Sequence, residues 1–226
     1  MDPGKPSDFG VRDFFYSLVS HQGSRPPVFD SQKKFGERAT RLKRALANEQ
    51  KKYRHIEDGA GKRYLIGPFY VLAGELKKAL AHYGWYEKHC SDDVGEPIHY
   101  LYWALALYRT GETKKANVKL LETMLQNVYL LPILLGARPD SYDIWHGSNM
   151  EQPDYIIQAP SEFLPQLSEQ EHSWIAEQFD SFRFRRAREE YVSTYRALKC
   201  EKNVDNRRQI LRRWNAFLAQ STTIDG

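Results

Sequence analysis

Three groups of residues in this 226-residue chain have the types and spacing from which chemistry could be built. His82 and His89 stand seven apart, with Cys90 adjacent and His99 nine further on. Imidazole and thiolate are zinc ligands, but a zinc site draws its ligands to about 2.0–2.3 Å, typically from short-spaced pairs such as CxxC or HxxxH. No such pair occurs here, so no metal is expected. Asp143, His146 and Ser148 in SYDIWHGSN are the residue types of an acyl-transfer site. A nucleophilic serine needs a base within hydrogen-bond reach, an oxyanion hole and a strand–turn–helix elbow. Ser148 lies instead in a turn whose backbone freedom comes from Gly147 and Asn149. The run Gly59-Ala60-Gly61-Lys62 lacks the spacing of a phosphate loop and no buried strand precedes it. No catalytic residue and no cofactor are therefore assigned, and the chain is expected to be non-enzymatic.

The elements that would position these side chains are helical. From Pro97 to Pro132 the chain forms two amphipathic halves broken at Gly111. Tyr100, Trp103, Ala104 and Leu107 recur at helical spacing in the first half, and Ala116, Leu120, Met124 and Val128 in the second. A glycine stop followed by Thr113 as a start predicts an antiparallel helical hairpin. Upstream, Phe35, Ala39, Leu42, Leu46, Glu49, Tyr53 and Ile56 form a nearly heptad seam over Lys33–Ile56, with lysines and arginines on the other faces. A second helix is predicted from Pro68 to about Cys90, with Leu72, Leu76, Ala79, Leu80 and Tyr83 inward. Ser168 and Glu171 make a capping box that opens a long helix with Trp174, Ile175, Gln178, Phe179 and Phe182 on one stripe, extended by Ala187, Tyr191, Tyr195 and Leu198. Asp205 is placed as the cap of a last helix facing the body through Ile210, Leu211, Trp214, Phe217 and Leu218.

The fold class expected is all-α, with about seven helices. Residues 1–30 form an N-terminal extension with a short helix around residues 7–19, and 31–136 the main helical region. Residues 137–166 form a long proline-containing loop that packs across the helices through Tyr142, Trp145 and Tyr155. Residues 167–220 supply C-terminal helices on the same domain.

The central hairpin resembles a single tetratricopeptide repeat. Counted from Pro97, Tyr100 stands at the family's tryptophan position, Trp103 and Ala104 form its large–small pair, Leu107 replaces its tyrosine, Gly111 is the turn glycine and Ala116 the small crossing residue. Leu120 holds the aromatic position, while Thr123 and Val128 depart from the family's alanine and proline. The run Asn127–Gly136 is also similar to a segment that follows the repeats in tetratricopeptide proteins carrying a MYND-type finger, although no cysteine cluster stands beside it. The resemblance implies stacked, degenerate helical hairpins and a scaffold that binds proteins. A partner groove beside the hairpin would draw on Tyr86, Tyr102, Tyr108, Arg109, Lys114 and Lys115, polar or aromatic positions off the buried stripe, with Trp145 and His146 as a rim.

Charge is distributed unevenly. Residues 1–83 carry 16 Lys and Arg against 9 acids, residues 84–180 carry 6 against 15, and residues 181–226 carry 11 against 5. Basic outer helices can neutralise an acidic centre, or can meet a charged partner. The alternative to a protein or peptide partner is therefore a nucleic acid held by Arg207, Arg208, Arg212 and Arg213. No apolar run reaches the roughly 20 residues that span a bilayer, and the N-terminus lacks the pattern of a secretory signal. Two cysteines, Cys90 and Cys200, fit a reducing compartment. The cytoplasm is the expected location, with the nucleus as alternative.

Overall fold

The computed structural model describes residues 28–54, 58, 61–137, 139, 141–159 and 163–223. The short helix expected near residues 7–19 and the seam residue Ile56 lie outside them. Among the described residues the chain forms ten α-helices, one short 3-10 turn and no strand. The helices are α1 (Val28–Tyr53), α2 (Lys62–Leu72), α3 (Leu76–His89), α4 (Pro97–Arg109), α5 (Thr113–Gln126), α6 (Leu130–Leu134), α7 (Pro153–Gln158), α8 (Glu169–Asp180), α9 (Phe182–Cys200) and α10 (Val204–Ser221).

α4 is the hub. Every residue from Pro97 to Leu107 except Tyr100 is buried, and the helix packs against α2, α3 and α5. A helix apolar all round has no solvent face and is stable only inside a ring of neighbours. Its most extensive partner is α5, and Ala104 and Ala116, the small residues expected at their crossing, are both fully buried. Between the two helices, Gly111 takes φ +84° and the last carbonyls are closed by Glu112 N–H to Leu107 O at 2.9 Å and Gly111 N–H to Tyr108 O at 3.0 Å.

Two segments expected to be single helices are each divided. Instead of one helix from Pro68 to Cys90, α2 ends and α3 begins around Gly74, whose φ of +75° closes the same kind of C-cap, with Glu75 N–H donating to Tyr70 O at 2.8 Å. Pro68 sits inside α2 and does not start it. The partner of α1 is consequently α2, with Phe35 stacked on Phe69 at 5.8 Å and the Arg38 guanidinium over the same ring at 4.5 Å. The long C-terminal helix is likewise divided, because Ser181 is extended and its hydroxyl caps Phe184 N–H at the start of α9.

The capping box of Ser168 and Glu171 opens α8 as expected. The last helix is capped by Asn203 and not Asp205: the Asn203 side chain accepts from the N–H groups of Asp205 and Asn206. Phe182 and Leu211, placed inward by periodicity, are exposed, while Phe184 is wholly buried. Among the described residues of 137–166, Ile144 and Ile156 are buried and Tyr142 and Tyr155 pack against the core. This stretch also carries α7 and the 3-10 turn Asn149–Glu151, which the sequence did not announce. No described helix is long and apolar enough to cross a membrane.

Candidate functional site

A proline in a helix interior removes one N–H and frees the carbonyl four residues back. For Pro68 that carbonyl belongs to Tyr64, and it accepts from His99 Nδ1 of α4 at 3.1 Å. One residue earlier, Arg63 O accepts from His82 Nε2 of α3 at 2.8 Å. A carbonyl can only accept, so both tautomers are set by their partners. Burial lowers both imidazoles, His82 to about 4 and His99 to about 3, so they stay neutral at pH 7. Rings enclose them: Tyr86 at 4.6 Å and Tyr83 at 5.0 Å from His99, and Trp85 stacked at 5.4 Å on His82. These two histidines fasten α2 to α3 and α4. Of the other members of the supposed ligand group, exposed His89 bonds to Trp85 O and half-buried Cys90 packs against the core. Among the described residues no three His, Cys, Asp or Glu side chains converge as metal ligands.

Where α2 is pinned, a cleft of about 620 Å³ opens on the side facing residues 149–159 and Phe163. Its floor is Leu65, Pro68, Ile98, Ala159 and Phe163, and its polar rim includes Glu96, Asn149, Gln152, Asp154 and Gln158. Glu96 is held by local chemistry. It is the extended N-cap before Pro97, and its carboxylate oxygens accept from Ile98 N–H at 3.1 Å and His99 N–H at 2.5 Å. Burial pushes this carboxyl up to about 7 against the pull of the two N–H groups. Beside the cleft, Tyr64 donates to Asp93 Oδ1 at 2.6 Å and Arg63 Nε to Asp93 Oδ2 at 2.7 Å. Burial alone would raise the Asp93 carboxyl, but Tyr64 and Arg63 hold it below the usual carboxylate range. Burial and Asp93 push the Tyr64 hydroxyl up to about 12, so it remains a donor.

The outer wall of the cleft is fixed by one buried amide. Asn127, at the end of α5, is fully buried and donates Nδ2–H to Met150 O at 2.7 Å and to Gln152 O at 3.0 Å, while its Oδ1 accepts from Tyr129 N–H at 2.9 Å. Asn127→Asp turns the two-donor amide into an acceptor facing two carbonyls. The expected result is a local opening of residues 149–158 easier by about 2 kcal/mol. It is measured as lost amide-exchange protection there with α4 and α5 unchanged; equal protection in variant and parent would contradict this role.

The residues singled out for a partner groove divide. Tyr86 and Tyr102 are buried in the core, so the expectation that they lie off the buried stripe is corrected. Tyr108 stacks on Trp174 at 4.2 Å, and Arg109 Nε pairs with Glu171 Oε1 at 2.7 Å, so α8 covers the end of the hairpin and occupies both. Lys114 and Lys115 are exposed, Lys115 pairing with Glu112 at 2.5 Å. Trp145 is 39% exposed and lies under the Arg207 guanidinium at 5.3 Å, away from the cleft. His146 Nε2 is 3.5 Å from the Tyr129 hydroxyl and Asp143 pairs with Lys199. Among the described residues no hydrogen bond joins His146 to Ser148 or Asp143. Of the four basic candidates, Arg207 closes α9 by donating to the carbonyls of Leu198 and Glu201, Arg208 pairs with Asp205 at 3.0 Å, and Arg212 and Arg213 are exposed.

No family model, curated protein or solved structure matches the chain. The functional reading therefore stands on the cleft itself. Sequence reasoning missed it because its wall comes from residues 149–159 and Phe163, a stretch without an evident helical period. Two signals were legible: Gly95-Glu96-Pro97 as a helix start, and the irregular, aromatic-anchored character of residues 137–166.

Proposed function

We propose that this chain is a non-enzymatic helical interaction module of the cytoplasm or nucleus, with α4 and α5 as a repeat-like stacking unit, that binds an extended peptide segment of a protein partner in the cleft between α2, the start of α4, residues 149–159 and Phe163. One observation carries the proposal: a cleft of about 620 Å³ with an apolar floor and a polar rim. Recognition sites have this composition, since apolar surface supplies affinity and a few fixed polar groups supply orientation. The His99, Asp93 and Asn127 side chains beside it are committed to holding the helices and the wall together, which suits a rigid receptor better than a reaction centre.

A photoreactive phenylalanine analogue introduced at Gln158, on the rim, is expected to crosslink discrete protein partners in cells. The same analogue at Arg212, on α10, is expected not to. Neutralising Arg208, Arg212 and Arg213 leaves those crosslinks intact. Absence of crosslinks from Gln158, together with RNA retention at physiological salt that disappears in the triple arginine variant, would replace the peptide reading with a nucleic-acid one.

A further inference from the structure

The cleft's charge narrows what it can take. Among the described residues its lining contains two carboxyl side chains, Glu96 and Asp154, and no lysine, arginine or histidine. The cations closest in sequence to its α2 wall are already spent. Lys62 pairs with Glu49 at 3.1 Å and Asp58 at 3.5 Å, and Arg63 with Asp93 at 2.7 Å and Asp58 at 3.7 Å. Among the described residues Glu96 and Asp154 have no ion-pair partner. Each Glu96 oxygen accepts one backbone N–H and keeps a free acceptor position. A carboxylate in an apolar setting is costly unless a cation or further donors reach it.

The rest of the lining matches a particular shape of cation. Tyr64, Tyr155 and Phe163 present rings, and Leu65, Pro68, Ile98 and Ala159 present aliphatic surface. Lysine and arginine side chains carry an apolar stem under a charged head, and the head is further stabilised beside aromatic faces. A neutral apolar side chain would cover the floor but leave Asp154, and Glu96 in its ionised form, without a counter-charge. An acidic one would meet like charge from both sides.

We propose that the cleft receives a lysine or arginine side chain of the bound peptide, its stem on the floor between Leu65, Ile98 and Phe163 and its charged head between Glu96 and Asp154. The inference rests on the cleft being the peptide site, and the test separates the two. Three capped pentapeptides identical except for a central Arg, Gln or Glu are titrated into the isotope-labelled full chain, and the amide shifts of residues 96, 149, 155 and 158 are followed. The Arg peptide is expected to bind there about fivefold more tightly than the Gln peptide, and the Glu peptide more weakly than either. Asp154→Asn, on the exposed rim and outside the core, and Glu96→Gln, which retains an acceptor for the helix cap, each bring the Arg peptide towards the Gln peptide. Equal binding of Arg and Gln peptides at these amides would overturn the cationic preference while leaving the cleft as the peptide site. Shifts that spare all four amides with every peptide would remove the cleft reading, and this proposal with it.

Discussion

Replacing His99 by alanine is expected to lower the stability of the fold by about 3–4 kcal/mol, the sum of a lost buried ring and a helix carbonyl left without a donor. His99 is fully buried, and Tyr64 O lacks the usual N–H donor four residues on because Pro68 stands there. His99→Asn places an amide N–H near the position of Nδ1 and is expected to recover part of that loss. The pH dependence makes the prediction sharper. His99 titrates near 6.5 when unfolded and is held to about 3 by burial in the fold. Below pH 6.5 the unfolded chain therefore binds a proton that the folded chain refuses, and stability present above that pH is lost as pH falls. At pH 5 the loss from this one group is about 2 kcal/mol. Glu96 acts in the opposite direction, because its carboxyl, held up to about 7, takes up a proton in the folded chain over the same range. Comparing variants removes that term. Between pH 7 and pH 5, urea unfolding should show the parent losing about 2 kcal/mol more than His99→Asn. A constant difference between the two across that range would mean that His99 is not a buried neutral imidazole.

Two glycine-to-alanine substitutions in neighbouring helices are expected to have opposite signs. In an open helix interior the change stabilises by about 0.5–1 kcal/mol, because alanine has less backbone freedom to lose. Gly84 in α3 meets that condition, since a Cβ there would find no atom within 4 Å. At Gly67 in α2 the same Cβ would lie 2.5 Å from Tyr83 Cε1 and Cζ. The Tyr83 ring has nowhere to retreat: it is fully buried, stacked on Trp103 at 5.0 Å with 6° between planes, and edge-on to His99 at 5.0 Å. Gly67→Ala is therefore expected to cost about 1–3 kcal/mol, overpacking outweighing propensity. Thermal or urea unfolding of the two variants side by side decides the matter, and equal stabilisation by both would show that α2 and α3 are not in van der Waals contact at this point.

Reading from residues alone reaches the features that depend on near neighbours. The helical class, the stop at Gly111, the capping box of Ser168 and Glu171 and the buried stripe of α5 are set by spacing and by backbone groups a few residues apart. Local signals could also be misweighed. Gly74 offers the same left-handed stop as Gly111, but the apolar residues on either side continue a helical rhythm and hide it. Pro68 reads as a helix start by local rule, whereas its place is inside α2, where two histidines from other helices take the carbonyls around it.

What only the tertiary structure decided begins with α4. A run that is apolar on every side gives periodicity no outward face to find, so Tyr102 was placed at a surface and is buried in the core. Tyr86 has a different reason: it continues the buried stripe of α3, three residues after Tyr83 and seven after Ala79, and is one of the rings around His99. The use of Tyr108 and Arg109 against α8 depends on a contact with Trp174 and Glu171, more than 60 residues away, that no local pattern encodes. The cleft is the clearest case. The Glu96 carboxylate on its rim is set by local sequence as a helix cap, but its wall exists because the buried amide of Asn127 reaches the carbonyls of Met150 and Gln152. Hydrogen bonds between distant segments form only once the chain has folded, so the sequence determined the helices, and the packing around Pro68 and Asn127 determined where a partner can enter.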